Sequence, residues 1–228
     1  MNVVMLLYPR LTQLDLTGPF EIFARFSELT IHLVWKDLEP VASDPGGLRI
    51  LPTTTLSDCP QADILFVPGG PGQAALMEDP EVLGFLRRQA EGASYVTSVC
   101  TGSLVLAAAG LLTGYRATCH WASFNQLAYF GVIPVAERVV IDRNRVTGAG
   151  VTSGIDFALT LAARLLGEDR ARGAQLAVEY DPKPPFEGGS IDSSDPALVA
   201  SLREAVADFQ KKREDIARRA AAALQAHS

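Results

Sequence analysis

The chain predicts an α/β domain: a mostly parallel sheet covered by helices on both faces. Three observations carry that expectation. Short apolar runs of strand length alternate with longer segments of helical period, as strand–crossover helix–strand units require. With 228 residues, 48% hydrophobic and 20% charged, the chain can bury one large core. No internal repeat or long linker divides it, so residues 1–228 are expected to form one domain, with a helical extension at about 195–225.

"NVVMLLY" reads as the first strand, and after the loop "PRLTQLDL" a helix is expected from about Thr17, with Thr17 as N-cap and Pro19 in the first turn. "TIHLVWK" is a second strand. Residues 40–59, rich in Pro, Gly and Thr, suggest short strands or a hairpin. "DILFVP" is a core strand ending in the glycine-rich "GGPG", and Asp79-Pro80 opens the helix "EVLGFLRRQAEG". "ASYVTSV" runs into Cys100, and the small-residue helix "TGSLVLAAAGLL" can end with Gly110 at C′. "PVAERVVIDRNRVTGAG" reads as a hairpin turning near residues 142–144, followed by the helix "TSGIDFALTLAARLLG". Beyond the loop "YDPKPPFEGGS", one long helix is expected nearly to the C-terminus, for packing or a dimer surface.

Lys and Arg number 20 against 26 Asp and Glu, a net charge of −6. That balance argues against a nucleic-acid partner, which needs clustered cations. The run "KKRED" followed by "ARR" alternates with acids and reads as a solvated helix face. The N-terminus lacks the features of a signal peptide, and no run approaches the ~20 apolar residues that span a membrane. Cys59, Cys100 and Cys119 are few, odd in number and without metal-ligand spacing, and His32, His120 and His227 are scattered. A reducing, cytoplasmic setting is expected.

Cys100 stands out by position. Ligands of open α/β sheets bind beyond the carboxyl ends of the strands, and Cys100 lies between a strand and a helix, as a nucleophile elbow does. A free thiol, with a pKa of about 8.5, is only a few per cent ionised at neutral pH. Lowering it to near 6 requires ~2.5 units, roughly 3.4 kcal/mol. A helix terminus supplies ~0.3–1 kcal/mol and at most about 2. A second group must help. One candidate is the loop "FVPGGPG", either an ordinary turn or a loop whose glycine amides approach a reacting atom; the other is Asp15 in "TQLDLTGP", either a cap of the following helix or a buried acid sharing a proton with a nearby thiolate. His120, beside Trp121, reads as a structural histidine, and Cys59 and Cys119 as inert buried thiols.

The segments "LLYPRLTQLDLTGPFEIF", "DILFVPGGPG", "YVTSVCTGSLVLAAAGLLTGYRATCHW" and "GAGVTSGIDFALTLAA" resemble the ThiJ/PfpI superfamily, the class I glutamine-amidotransferase-like fold. Within it the chain is most similar to the isocyanide hydratases. The resemblance implies a homodimer of flavodoxin-like three-layer α/β/α sandwiches. It also implies Cys100 as nucleophile, Asp15 as acidic partner and Thr101 beside them, with Gly69, Gly70, Gly148, Gly150 and Val151 lining the substrate pocket. The activity it implies is hydration of an isocyanide by water to an N-substituted formamide through a cysteine thioimidate, with no metal or organic cofactor. Thr101 stands where protease-like relatives carry histidine, which argues against peptidase activity. Two other readings remain open: the ligand-binding part of an AraC-type regulator without its DNA-binding region, and another superfamily activity such as a glyoxalase.

Overall fold

The computed structural model describes residues 1–44 and 46–226; His227 lies outside the described residues. Among the described residues the central sheet has seven strands, built around a hydrophobic centre. These are β1 (Asn2–Leu6), β2 (Thr30–Trp35), β5 (Thr54–Thr55), β6 (Ile64–Val67), β7 (Tyr95–Val99), β10 (Val139–Asp142) and β11 (Arg145–Gly148). They stand in the order β10-β11-β7-β6-β1-β2-β5. All neighbours pair in parallel except β10 with β11. β6 and most of β1 and β7 are buried along their length, as strands covered on both faces must be. The expected α/β sandwich is observed.

The helices fall into two groups. α1 (Gln13–Phe23), α5 (Ser153–Leu166) and α6 (Glu168–Ala177) pack together on one face. α2 (Gln73–Leu76), α3 (Pro80–Gly92), α4 (Gly102–Ala108) and α8 (Ala207–Ala226) form the other, and α7 (Pro196–Ala205) leads into α8. The 40–59 segment holds the expected hairpin, β3 (Val41–Ala42) with β4 (Arg49–Ile50). β8 (Arg116–Ala117) and β9 (Ile133–Pro134) pair outside the main sheet, with a 3₁₀ helix over Phe124–Phe130 between them. No helix among the described residues is long and apolar enough to cross a membrane.

Local chemistry explains most boundaries. The Asp79 carboxylate caps α3 by accepting from the amides of Glu81 and Val82, with Pro80 at the first helical position. Gly110, at φ 79°, ends α4 in the left-handed conformation expected at C′.

Three expectations need correction. α1 begins at Gln13 with Thr12 as N-cap, about a turn before Thr17, whose hydroxyl instead donates to Gln13 inside the helix. Pro19 therefore lies mid-helix, where it cannot donate to the Asp15 carbonyl. α6, rich in charge and carrying Gly173, lies in a stretch for which no helix is expected. The C-terminal helix is two helices, broken at Val206.

Candidate active site

Cys100 sits between β7 and α4 with φ 57°, in the left-handed region where L side chains are strained. The Cys100 amide donates to the Gly148 carbonyl at 3.0 Å, which holds the backbone there, and the Thr101 amide favours negative charge on the sulfur. Gly102 follows because α4 passes so close to the Val67 and Pro68 carbonyls that any Cβ there would clash. Behind the elbow, the Ser103 hydroxyl donates to the Thr118 carbonyl at 2.7 Å and lies 2.8 Å from Ser98 Oγ, tying α4 to β7 and to the following loop.

The glycine-rich loop closes over the elbow. A Cβ on Gly69 would fall 2.5 Å from the Thr101 nitrogen, 2.7 Å from Asp15 Oδ2 and 2.8 Å from Cys100 Cβ. Only glycine fits, and the same distances show that Asp15, Cys100 and Thr101 converge on one spot. The Gly69 amide donates to Asp15 Oδ2 at 2.9 Å, and the Gly69 carbonyl accepts from the Thr12 amide at 2.9 Å. The Gly70 amide donates to Thr101 Oγ1 at 3.0 Å. Thr101 thus spends its hydroxyl holding the loop in register with the elbow.

Asp15 has no solvent exposure, and its Oδ1 finds no nitrogen or oxygen partner. Burial raises its carboxyl from 3.8 to about 7, against the smaller lowering effects of Cys100 and the Gly69 amide. The Cys100 thiol, 5% exposed, is raised well above its ordinary value by burial first and then by the Asp15 charge. The expected thiol of depressed pKa is therefore not what the resting site holds. α4 has only seven residues, too few for its dipole to offset the burial of the sulfur. What the site holds is two neighbouring buried acids, each raised by burial.

Cys100 and Thr101 open on a cavity of about 330 Å³. Gly70 and Val151 line it, whereas Gly69 stands behind the elbow and the Gly148 carbonyl accepts from the Cys100 amide. An added Cβ on Gly150 would face His120 at 3.6 Å. His120 lies on the wall beside Trp121, and burial lowers it to about 4, leaving it neutral. Its Nδ1 accepts from the Ala122 amide at 3.3 Å. Cys119 is buried and pushed up to about 12, and Cys59, half-buried, to about 11, both by desolvation. Among the described residues no three His, Cys, Asp or Glu side chains are grouped to hold a metal ion.

The sequence pattern of the DJ-1/PfpI family matches residues 1–164. The chain belongs to that family. An isonitrile hydratase of Pseudomonas putida is 54% identical over 224 residues, 98% of each chain. The crystal structure of a ThiJ/PfpI family protein from Pseudomonas syringae superposes with a TM-score of 0.92 at 47% identity, over 95% of this chain and 90% of that one. The HTH-type transcriptional regulator CdhR of Pseudomonas aeruginosa is 35% identical over 65% of this chain but 42% of its own length.

In this DJ-1/PfpI protein the family match ends within α5, yet one wall of the cavity comes from beyond it: Leu202 from α7, Val206 at the break, and Phe209, Gln210 and Arg213 from α8. The sequence reading treats this stretch as packing or dimer surface and misses its part in the site. The one available signal is the helical spacing of Leu202, Val206, Phe209 and Arg213, which places them on one side of the chain's last helices.

Proposed function

We propose that the protein hydrates isocyanides, R–N≡C, to N-substituted formamides, R–NH–CHO. The observation that carries this reading is the buried Asp15 beside Cys100, with Cys100 itself opening on an apolar cavity. The near-full-length similarity to the isonitrile hydratase of Pseudomonas putida supports it. An isocyanide carries no charge and reacts at its terminal carbon, so it calls for an apolar pocket with a nucleophile and a proton donor at one point. Trp121, Val151, Val206 and Phe209 suit its R group.

The raised pKa values set the order of events. With Asp15 ionised, its free Oδ1 takes the thiol proton as Cys100 Sγ adds to the isocyanide carbon. Asp15, now a carboxylic acid, returns that proton to the same carbon, giving the thioimidate R–N=CH–S–Cys100. Water then adds to this carbon while Asp15 accepts a water proton and passes it to the substrate nitrogen. The tetrahedral adduct collapses: the C–S bond breaks, sulfur takes back the hydroxyl proton, and the formamide leaves. Gly69 pins Oδ2 so that Oδ1 alone faces the chemistry, and Thr101 keeps Gly69 in place through Gly70. This chemistry calls for no metal or organic cofactor.

The test is formation of the formamide from an aryl isocyanide by the purified protein, with Cys100→Ala alongside. Turnover by the wild type and none by the variant is expected. No turnover by either, with Cys100 still open to alkylation, moves the substrate elsewhere within the family. The same reading makes the protein a cytoplasmic homodimer whose partner molecules are isocyanide and water, not nucleic acid. The exposed Leu176, Phe186, Ile191 and Leu198 are apolar surface that a second copy can cover. Elution at the mass of one 24.4 kDa chain would overturn the dimer.

A further inference from the structure

Arg213 is an anomaly in the cavity wall. It is 5% exposed and lines the same cavity as Cys100. Among the described residues no carboxylate lies within ion-pair distance of it. Its Nη1 donates to Ser123 Oγ at 2.8 Å and, with the Gln210 amide oxygen turned towards it, to Gln210 at 3.2 Å. Its guanidinium lies 4.5 Å from the Phe209 ring centre, and its Nε, fully buried, has no partner. A buried cation is costly unless an anion compensates it. Every other charged side chain of "KKRED" faces solvent or is half-exposed; this one faces the site.

We propose that Arg213 is a positioning residue for catalysis, the countercharge that makes the Cys100 thiolate reachable when Asp15 takes its proton. Geometry separates the two acids as seen from Arg213: Cys100 lies on the cavity wall with it, whereas Asp15 lies behind Cys100 with no exposure. Negative charge on the sulfur therefore gains more from the guanidinium than negative charge on Asp15, which lowers the cost of moving the proton from Cys100 to Asp15. The electrostatic pattern agrees. Burial lowers the Arg213 guanidinium, and charge on Cys119, Cys100 and Tyr8 opposes that by favouring its cationic form; attraction between two charges is reciprocal. Arg213 in turn offsets part of the rise that burial imposes on Tyr8 and Cys119, and adds to the burial that keeps His120 neutral. Tyr8, Cys119, His120 and Asp15 are the titratable side chains around Cys100 and Arg213; Lys211, Lys212, Glu214 and Asp215 flank Arg213 on α8 but lie outside the cavity wall. Arg213 thus supplies the second group that the helix terminus alone leaves wanting.

The inference rests on the proposed proton transfer, but its test needs no isocyanide, so failure of one reading is distinguishable from failure of the other. The rate of Cys100 alkylation by iodoacetamide is followed by peptide mass spectrometry from pH 6 to 10, with Cys59 as internal control. Arg213→Met is expected to shift the Cys100 profile up by about one pH unit or more, and so to slow alkylation at neutral pH by about tenfold, with Cys59 unchanged. Arg213→Lys, which keeps the charge, is expected to restore most of the rate. Should Arg213→Met not fold, Ser123→Ala removes the hydroxyl that holds Nη1 and is expected to shift the profile in the same direction by a smaller amount. An unchanged Cys100 profile in Arg213→Met, or in Ser123→Ala where that is the variant read, overturns the proposal. Equal slowing in Arg213→Lys and Arg213→Met would also overturn it, by showing that shape and not charge matters.

Discussion

The elbow and the C-terminal wall face each other across one cavity and are held in place by different means. The elbow is fixed by backbone: Cys100 N–H on the Gly148 carbonyl, Gly69 N–H on Asp15, and glycines where no Cβ fits. The wall is fixed by side chains that meet across long stretches of sequence. Ser123 bonds Gln210 at 2.9 Å, Tyr129 bonds Glu214 at 2.5 Å, and Arg219 reaches Glu78 at 2.8 Å. α8 buries alanines and Arg213 against the core, whereas no residue of α7 is fully buried. A site assembled in this way draws its reacting groups from the backbone-fixed elbow and its opposite wall, with the Arg213 charge, from the C-terminal helices.

Changes to the elbow should be the most damaging and changes to the wall graded. Cys100→Ala should remove turnover altogether while the melting temperature stays close to wild type, since a small residue replaces a small one. Asp15→Asn should lower kcat by about 10²–10⁴-fold, the usual worth of a positioned general acid–base group. Its effect on stability runs the other way. The Asp15 carboxyl rises from 3.8 unfolded to about 7 folded, so its contribution to stability is fully present below about 4 and lost as pH rises through 7. At about 1.4 kcal/mol per unit, keeping Asp15 ionised in the fold above pH 7 costs on the order of 4 kcal/mol. Thermal melts at pH 8.5 should therefore show Asp15→Asn more stable than wild type, an advantage that shrinks at pH 5. A variant less stable than wild type at both values would mean that the carboxylate has partners not accounted for.

On the wall, Phe209→Ala should alter selectivity more than chemistry. Bulky aryl isocyanides should lose about tenfold in kcat/KM relative to small alkyl ones, in line with ~1–3 kcal/mol of apolar pocket contact. Steady-state kinetics on a short substrate series reads this out, and equal losses across the series would remove Phe209 from specificity. Tyr129→Phe, which breaks a contact to Glu214 at the exposed side of α8, should cost under about 1 kcal/mol in urea unfolding and leave kcat/KM nearly unchanged.

The same division marks what could be read from the sequence. The elbow was legible because its signals are local: a strand running into a cysteine, glycines after it, Asp15 between leucines, Asp79-Pro80 and Gly110 at helix ends. The start of α1 was misplaced because Thr12 makes no side-chain cap, whereas Thr17 and Pro19 together imitate one. The wall was hidden because "KKRED" looks like a solvated face until packing turns one of its cations inward. Whether Arg213 faces water or Cys100 depends on how α8 lies against residues 120–130, and no short segment encodes that. Nor did spacing reveal that burial would raise the Cys100 thiol and not depress it.

The central claim is that a single proton is shared between Asp15 and Cys100 and that the reaction starts with Asp15 ionised. The pH dependence of kcat/KM for an aryl isocyanide tests this most directly. A rising limb with its midpoint near 7, falling about tenfold per pH unit below it, is the predicted result. The limb belongs to the pair as a whole and should vanish from the residual rate of Asp15→Asn. A profile flat from pH 5 to 9, or a limb in the ordinary carboxylate range near ~4, would contradict the account.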